Sequence, residues 1–472
     1  MRVPTAELLR SLPAEWPEDL LPAIQAQVRD RGTKVVVLDD DPTGTQTVYN
    51  VPVVTEWSET SLRTILAEPG SLVYVLTNSR SVPLSEAQAL NREIAANLRS
   101  ASRATGRAFV VVSRSDSTLR GHYPGEVEAL AQGLGGDLDG TLIIPFFLEG
   151  GRLTVHDVHL VDEGGVLIPA AETEYARDAV FGYRSSNLRD WVSEKHHGRV
   201  KAEDVASLSI KDLRLGGPGA VASKLAGLRK GGICVVNSAS YRDVEVLVAG
   251  LLRAEAAGRR FLCRTAASFV RVRGGLAPRS LLTGAELAAA GGEGGGLIVV
   301  GSYIQKSTLQ VQAAQALPGV ASLEVAAERL LEACSRQGEI QRVAGQANEL
   351  LGTGRDVLVY TGRRVIHEAG QASGLRVGQL ISSGLAAIVA HLAAPPAWII
   401  AKGGITSSDI ATQGLGAKRT EVLGQALAGV PIWRLGQGSR WPGLTYVVFP
   451  GNVGDTDALA QMVRILRGGR ID

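Results

Sequence analysis

Val35-Val36-Val37-Leu38 runs directly into Asp39-Asp40-Asp41-Pro42-Thr43-Gly44, so an apolar run typical of a buried strand ends in three carboxylates and a turn. A second apolar run, Phe109–Val112, is followed in the same way by Ser113-Arg114-Ser115-Asp116-Ser117-Thr118-Leu119-Arg120-Gly121-His122. In open α/β sheets, ligands bind at the edge formed by the carboxyl ends of the strands. A carboxylate there costs desolvation energy unless a cation, a metal or a hydroxyl pairs with it. The two segments therefore predict one polar pocket.

The composition is that of an ordinary globular protein, with 472 residues, 45% hydrophobic residues, 20% charged residues and a net charge of +2. Its length predicts two or three domains of roughly 150 residues each. The small net charge gives no electrostatic support to a nucleic-acid or membrane partner. No signal-like run and no segment near the roughly 20 apolar residues of a membrane helix is present, so we expect a cytoplasmic protein. The three widely spaced cysteines, Cys234, Cys263 and Cys334, indicate thiols rather than disulfides or a zinc site.

Short β-like runs alternate with helical runs along most of the chain, which indicates βαβ units and parallel sheets. Residues 1–32 have the pattern of a helical N-terminal extension, 33–285 that of a first α/β domain and 295–472 that of a second. The boundary falls at 291–296, where five glycines in six residues would be costly inside any element. We therefore predict an α/β fold of two domains, each a mostly parallel sheet flanked by helices, with the active-site cleft between them.

The predicted strands are at 34–38, 71–76, 108–113, 141–145, 233–237, 260–264, 297–301, 319–323, 356–360, 397–401 and 445–449. The predicted helices are at 84–103, 124–133, 241–257, 326–350, 374–392 and 455–467.

The first acidic segment contains the candidate catalytic residues. Three consecutive carboxylates repel each other unless a cation or hydrogen-bond donors intervene. Asp40 and Asp41 are candidates to orient or deprotonate a substrate hydroxyl, with Thr43 and Gly44 in the adjoining turn. The alternative is a polar turn in which an aspartate caps a helix that starts at Pro42.

The second segment indicates a binding site for an anionic polyol. Arginine is suited to bidentate binding of a carboxylate, and Asn78 and Arg80 follow the preceding strand. The candidates here are Asp116, Ser117, Thr118, Arg120, Asn78 and Arg80. The alternative is a surface Asp–Arg pair beside a helix cap.

The second half of the chain contains glycine-bearing turns rather than a standard nucleotide motif. Neither GxxxxGK[ST] nor a GxGxxG in strand–turn–helix context is present, which disfavours P-loop and dinucleotide-binding folds. Backbone at a glycine turn can approach a phosphate closely, and hydroxyl side chains add donors. The candidate turns are Lys402-Gly403-Gly404-Ile405-Thr406, Gly451-Asn452 and Gly301-Ser302. Plain βα connections are the alternative. No histidine spacing indicates a metal site in the protein.

These segments resemble the four-carbon acid sugar kinase family, formerly a domain of unknown function. The resemblance covers nearly the whole chain after the extension. It lies in Asp40–Gly44, Asp116–Gly121, Thr173–Asp178 with Phe181-Gly182-Tyr183, Arg264–Phe269, Gly301-Ser302, Lys402–Ser407, Gly429-Val430-Pro431 and Pro450–Gly454. The chain departs from the family in Asp39-Asp40-Asp41-Pro42, in Ile405 and in Pro450-Gly451-Asn452-Val453, which marks a divergent branch.

The resemblance implies an ATP-dependent kinase that phosphorylates the terminal hydroxyl of a tetronate or 3-oxo-tetronate, with Mg²⁺ accompanying the nucleotide. It implies that the N-terminal domain holds the sugar acid and the C-terminal domain the nucleotide. In this interpretation Arg80, Arg120 and Arg264 hold the substrate carboxylate, and Asp41, Asp40 or Asp116 accepts the hydroxyl proton. The nucleotide contacts are Ser302, Lys402, Gly403, Gly404, Ile405, Thr406, Gly451 and Asn452.

Two other functions stay open on the residues alone. One is an acid-sugar aldolase or dehydratase that uses a metal and no ATP, and the other is a sugar-acid sensor regulated by a nucleotide. The residues do not choose among erythronate, threonate, a 3-oxo-tetronate and 3-oxo-isoapionate. They also leave the oligomeric state open, a homodimer included.

Overall fold

The computed structural model of the chain describes residues 2–288, 294–301, 305–362 and 371–468. The strands are, in chain order, β1 (Val3–Pro4), β2 (Lys34–Asp39), β3 (Val51–Val54), β4 (Leu72–Leu76), β5 (Phe109–Arg114), β6 (Gly140–Ile144), β7 (Arg152–Val155), β8 (Val158–Asp162), β9 (Val166–Pro169), β10 (Ala206–Leu208), β11 (Gly232–Val236), β12 (Phe261–Thr265), β13 (Leu297–Val300), β14 (Val320–Val325), β15 (Asp356–Thr361), β16 (Trp398–Lys402), β17 (Arg419–Leu427), β18 (Val430–Leu435) and β19 (Thr445–Phe449).

The α-helices are, in chain order, α1 (Thr5–Ser11), α2 (Leu21–Arg31), α3 (Glu59–Ala67), α4 (Leu84–Thr105), α5 (Gly125–Gly133), α6 (Leu188–Lys195), α7 (Ile210–Arg214), α8 (Gly217–Gly227), α9 (Tyr241–Ala256), α10 (Ala267–Arg273), α11 (Gly284–Ala288), α12 (Gln305–Gln315), α13 (Ala327–Leu331), α14 (Ala333–Gly352), α15 (Gln371–Ala390), α16 (Gly404–Asp409) and α17 (Ala458–Leu466). Short 3-10 helices span Pro42–Thr45, Ser79–Ser81, Leu148–Gly150, Ala170–Glu172, Glu174–Arg177 and Ala202–Asp204, and a π-helical turn spans Ile410–Gly414.

The chain forms two compact units. The first contains Met1–Asp40 and Glu56–Pro278, and the second contains Asp41–Thr55 and Arg279–Asp472. The chain therefore passes from the first unit to the second between two adjacent aspartates, Asp40 and Asp41.

The first unit is built on a parallel sheet with the strand order β10-β11-β6-β12-β5-β2-β4. Every residue of β2 and of β4 is buried, as expected for parallel strands that are covered on both faces. Asp39 is in register with Leu76 of β4 and Arg114 of β5. The segments that follow these three strands therefore begin at the same edge of the sheet.

A smaller antiparallel sheet, β1-β9-β8-β7, lies in the same unit. It includes the start of the N-terminal extension, because Val3 pairs with Leu167. The rest of the extension is mostly helical, and Ile24 and Val28 of α2 are buried. The hairpins of β7, β8 and β9 were not among the predicted strands.

The second unit combines parallel and antiparallel pairing in one sheet. Strands β14-β15-β13-β16-β19 pair in parallel, and β18, β17 and β3 continue the sheet in antiparallel fashion. A buried apolar cluster that includes Trp398, Phe449 and Met462 lies on this sheet. Among the residues that the structure describes, no helix is both long enough and apolar enough to traverse a lipid bilayer.

Residues 41–55 pack with the second unit, which the sequence did not predict. Trp433 Nε1 donates to Thr45 Oγ1 at 2.9 Å, and Gln46 Nε2 donates to the Gly429 carbonyl at 3.0 Å. Strand β3 then pairs with β17, with Val51 opposite Val422. The turn that follows the first acidic segment is thereby fixed by contacts remote in sequence.

The predicted α/β fold with mostly parallel sheets is confirmed. Each predicted strand is present within about two residues of its expected place. The helix predicted at 326–350 is divided at Glu332 into α13 and α14, because Glu332 has an extended backbone. The hairpin β17–β18 was missed. In the glycine cluster, residues 291–293 lie outside the described residues.

Candidate functional site

The Asp40 carboxylate is held at the carboxyl edge of the first unit's sheet. Arg80 binds it with two nitrogens, Nη2 to Oδ1 at 2.6 Å and Nε to Oδ2 at 3.2 Å, and Ser115 Oγ donates to Oδ2 at 2.9 Å. Asp40 is 2% exposed, so it has little water to solvate its charge. Because β2, β4 and β5 end at the same level, the segments carrying these three residues meet there. Arg80, which the sequence interpretation assigned to the substrate carboxylate, is thus bound to Asp40 in this structure.

Asp116 forms a second carboxylate–arginine pair in the loop after β5. Arg120 Nε donates to its Oδ2 at 2.8 Å, Thr118 Oγ1 donates to the same oxygen, and Arg80 Nη1 lies 3.9 Å from Oδ1. Burial alone would raise the pKa of Asp116, but the charges of Arg120 and Arg80 and the two hydrogen bonds outweigh it. The pKa therefore lies far below its usual range, and Asp116 is a weak proton acceptor.

Arg264 is the most deeply buried cation of the cluster, at 1% exposure. Its guanidinium lies 5.1 Å from the Trp191 ring and 5.5 Å from the Tyr123 ring, and its Nη2 donates to the Arg120 carbonyl at 3.2 Å. Nη1 has no hydrogen-bond partner among the described residues. Burial lowers the pKa of Arg264, and nearby Asp40 partly offsets this. A buried guanidinium N–H without a hydrogen-bond acceptor is energetically costly, so Nη1 is available to a ligand that supplies an acceptor.

Two side chains that the sequence did not single out for this purpose hold the Asp116–Gly121 loop. His159 Nε2 lies 2.7 Å from the Ser117 carbonyl, and Tyr183 Oη donates to the Thr118 carbonyl at 2.8 Å. Since a carbonyl only accepts, Nε2 carries the proton, and Nδ1 accepts from Thr154 Oγ1 at 3.0 Å. His159 is fully buried. No motif beside His159 in the sequence indicates this bracing role.

Gly121 lets this loop approach Asp40 closely. Its φ is +120°, a conformation that strains any L-residue, and a Cβ there would lie 3.1 Å from Ser115 Oγ and 3.3 Å from Asp40 Oδ2. Asn78, after β4, also has a positive φ, of 51°. Arg120 Nη1 lies 3.6 Å from Asp178 of the resemblance segment. Asp178 and Ser115 were not listed as candidates, although both belong to quoted segments.

The predicted nucleotide turns lie side by side at the carboxyl edge of the second unit's sheet. Lys402 at the end of β16 is in register with Val300 of β13 and with Phe449 of β19. The turns after these three strands are Gly301, Gly403–Thr406 and Gly451–Asn452. They therefore lie next to one another along one edge of the sheet. Ser302 lies outside the described residues.

The Lys402 side chain stabilises the turn that follows β19. It is fully buried, its Nζ donates to the Pro450 carbonyl at 3.0 Å, and it lies 4.2 Å from the centre of the Phe449 ring. The carbonyls of Gly451 and Asn452 accept from Ser307 and Lys306 of α12. Thr406 is buried against Gly301, where a Cβ would lie 3.2 Å from Thr406 Cβ, and Ile405 is half-buried.

Gly404 faces the Asp41 carboxylate, which corrects the reason for which a glycine was expected there. A Cβ on Gly404 would lie 2.6 Å from Asp41 Cγ and 2.8 Å from Asp41 Oδ1. The sequence interpretation reserved this space for a phosphate. Asp41 Oδ1 also accepts from the Thr43 backbone N–H at 2.9 Å and caps the 3-10 helix Pro42–Thr45. Thr43 and Gly44, predicted to bind substrate, lie in that helix and so belong to the second unit.

The donor set of the second unit's edge is compatible with a nucleotide phosphate. Gly403 has a φ of 113° and precedes a helical turn, and the Thr406 hydroxyl lies in the same turn. Within the described part of the chain, no group of three or more His, Cys, Asp or Glu side chains could hold a metal ion. Mg²⁺ in nucleotide sites is commonly held by phosphates, waters and only one or two carboxylates, so this arrangement is compatible with it.

Comparison with known proteins assigns both halves of the chain. Residues 35–273 match the family described as a sugar-binding N-terminal domain, and residues 297–459 match a nucleotide-binding C-terminal domain. These matches define a protein that joins a sugar-binding domain to a nucleotide-binding domain. The chain belongs to the four-carbon acid sugar kinase family.

One curated relative and two solved structures illustrate this membership. A D-erythronate kinase of Heliobacterium modesticaldum is 25% identical over 334 residues, which cover 67% of this chain and 69% of that protein. A Salmonella typhimurium LT2 protein, provisionally described as a tRNA synthase, superposes with a TM-score of 0.62 at 16% identity over 91% of this chain and 98% of its own. A Haemophilus influenzae protein of a family of unknown function gives 0.57 at 18% identity over 90% and 99%. The two structures support the fold alone.

The buried His159 predicts a pH-dependent stability. Burial lowers its pKa to about 4 from 6.5, although the hydrogen bond to Ser117 partly opposes this. The unfolded chain therefore binds a proton at higher pH than the folded one. The free energy of unfolding should decrease by about 3 kcal/mol through this residue as the pH falls from about 6.5 to about 4.

The measurement is urea unfolding of wild type and His159→Gln between pH 4.5 and 7. Glutamine retains an N–H donor for the Ser117 carbonyl but does not titrate. We expect the variant to show a flatter pH dependence than wild type. Equal slopes for the two proteins would contradict a buried neutral His159.

Proposed function

We propose that this protein is an ATP-dependent kinase that phosphorylates the terminal hydroxyl of a four-carbon or similarly small sugar acid. The observation that carries the proposal is the buried Arg264, whose Nη1 lacks a partner beside the Asp40–Arg80 and Asp116–Arg120 pairs of a sugar-binding domain. The match to a D-erythronate kinase over two thirds of the chain supports the same reaction class.

The substrate carboxylate is assigned to the arginines of the first unit. An arginine has five N–H donors in a planar fork. Arg120 uses Nε on Asp116 and its Nη1 lies 3.6 Å from Asp178, so Nη2 is assigned to the substrate carboxylate. Arg264 contributes its unpaired Nη1. Asn78, Ser117 and Thr118 adjoin this cluster and are assigned to the hydroxyl groups of the sugar acid.

Asp41 is assigned as the general base. Both oxygens of Asp40 already accept hydrogen bonds from Arg80 and Ser115, and the arginines beside Asp116 hold its pKa far below the usual range, so Asp116 binds a proton poorly. Asp41 instead hydrogen-bonds the backbone of Thr43 and contacts Gly404 at the edge assigned to the nucleotide. Its carboxylate oxygen would accept the proton of the attacking hydroxyl.

The nucleotide is assigned to the second unit. The backbone of the turns Gly403–Thr406 and Gly451–Asn452 would hold its phosphates, on a side of Gly404 other than the one that faces Asp41. Lys402 fixes the second turn through the Pro450 carbonyl. Bound Mg²⁺·ATP supplies the phosphoryl group and part of the charge neutralisation that the transfer needs. Catalysis by the chain then consists of positioning the acceptor and receiving its proton.

The proposal is tested by ADP formation in the presence of four- and five-carbon sugar acids, including erythronate, threonate and 3-oxo-isoapionate. We expect ADP to form only when a sugar acid is present. Conversion of a sugar acid without ATP would indicate an aldolase or dehydratase, and binding of both ligands without turnover would indicate a sensor. Either result would contradict a kinase.

Asp41→Asn tests the base. The amide keeps the size and the hydrogen bond but loses the charge, so kcat should fall by roughly 100- to 10,000-fold with little change in sugar-acid binding. Asp116→Asn is the matched control. If kcat stays near the wild-type value in Asp41→Asn and falls in Asp116→Asn, Asp116 is the base.

Gly404→Ala tests the position of Asp41 without changing its chemistry. Gly404 does not have a positive φ, so alanine is strained only by its Cβ, which would displace the Asp41 carboxylate. A displacement near 1 Å should lower kcat by roughly 100-fold. Gly338→Ala in α14, with nothing within 4 Å of the added Cβ, is the control. Wild-type kcat in Gly404→Ala would rule out this dependence.

Arg120→Ala separates binding from chemistry. If Arg120 clamps the substrate carboxylate, KM for the sugar acid should rise by more than kcat falls. Steady-state kinetics with the best substrate of the panel gives both constants. A fall in kcat at unchanged KM would instead assign Arg120 to the transition state.

A further inference from the structure

An arginine-rimmed cavity lies at the opposite end of the first unit's sheet from the site described above. Its volume is about 740 Å³, within the range of small-molecule sites. It is lined by the amino ends of β5 and β12, at Phe109–Val111 and Phe261, whereas the predicted sugar-acid site follows Arg114 at the other end of β5. The rise along β5 to Arg114 is about 16 Å from Phe109 and about 10 Å from Val111.

The rim is strongly cationic. It contains five arginines, Arg31, Arg99, Arg259, Arg260 and Arg273, and two carboxylates, Asp137 and Glu255. A concave surface with one dominant charge concentrates the field and attracts the opposite charge.

Some of these arginines are paired with carboxylates, and others are not. Glu255 is shared by Arg31 at 3.3 Å and Arg273 at 3.0 Å, and Arg259 pairs with Asp139 at 2.8 Å. Arg99 donates only to the Gly133 carbonyl, at 3.3 Å, in the described part of the chain. The Arg260 side chain has no hydrogen bond or ion pair with a described residue. Two guanidinium groups therefore remain for an anion.

The floor of the cavity is apolar. It includes two aromatic rings, Phe109 and Phe261, together with Val110, Leu138 and Leu252. An inorganic ion would leave this floor in contact with water, whereas a ligand with a flat apolar body would cover it. The combination of floor and rim fits a phosphate-bearing molecule with such a body.

The N-terminal extension builds one wall. Val28, Arg31 and Thr33 line the cavity and precede residue 35, where the match to the sugar-binding domain begins. The cavity therefore depends on a segment outside the matched domain.

We propose that this cavity is a second ligand site, which binds a small molecule that joins a phosphate to a flat apolar body, the chemistry of a nucleoside monophosphate. Arg99 and Arg260 bind the phosphate, and the floor of β5 and β12 receives the apolar body. The site is independent of the kinase assignment, because none of its residues belongs to the proposed catalytic machinery.

The test is calorimetric titration of the full chain with AMP, with adenosine as the neutral probe. The double variant Arg99→Glu/Arg260→Glu places two negative charges at the phosphate position. We expect it to weaken AMP binding by at least about 10-fold, since each charge-assisted contact is worth roughly 1.4 kcal/mol or more. Adenosine should bind wild type at least about 10-fold more weakly than AMP.

Arg63→Glu, an exposed charge reversal on α3 outside the cavity, is the matched control and should bind AMP as wild type does. Because Arg99 and Arg260 are exposed, the double variant should remain folded, which far-UV circular dichroism verifies. The milder pair Arg99→Ala/Arg260→Ala should lose affinity in the same direction. No binding of AMP to wild type, or equal binding to wild type and the double variant, would overturn the proposal. If AMP binds only in the second unit, wild type and the double variant will bind it equally, which also overturns the proposal.

Discussion

The buried pair of Asp40 with Arg80 is the interaction on which the rest of the first unit's site depends. Removing one partner from a buried ion pair leaves an uncompensated charge and typically costs 3–5 kcal/mol. The same Arg80 reaches toward Asp116, Asp116 holds Arg120, and the Arg120 carbonyl accepts from Arg264. One carboxylate at the end of β2 thus fixes the geometry of three arginines from three strand ends.

Two neighbouring aspartates have different surroundings because the chain changes units between them. Asp40 is fixed by a cation and a hydroxyl of the first unit, whereas Asp41 caps a 3-10 helix and contacts Gly404 of the second. Because Asp40 and Asp41 are adjacent in the chain, one carboxylate belongs to the sugar-binding domain and the next to the nucleotide-binding domain. In the proposed reaction, the first aspartate organises the acceptor site and the second receives the proton.

The fold was predictable from the sequence because buried parallel strands such as β2 and β4 are continuous apolar runs. The gathering of Asp40, Arg80 and the Asp116–Arg120 segment was predictable in outline, because the carboxyl ends of parallel strands meet at one edge, but the pairing of Arg80 with Asp40 was not predicted. The assignment of residues 41–55 was not predictable, since it depends on contacts such as Trp433 with Thr45 that join distant parts of the chain. The bracing role of His159 was hidden for the same reason, and the space before Gly404 was assigned to a phosphate although it holds Asp41.

Transfer of the phosphoryl group from ATP to the terminal hydroxyl of a sugar acid is tested most directly by ³¹P NMR of the products formed with the best acid of the panel. A phosphomonoester on a terminal CH₂ couples to two protons, so we predict a new triplet that grows with ADP and requires the sugar acid. A doublet would place the phosphate on a secondary carbon, and inorganic phosphate alone would indicate hydrolysis of ATP. Either spectrum would contradict the proposed reaction.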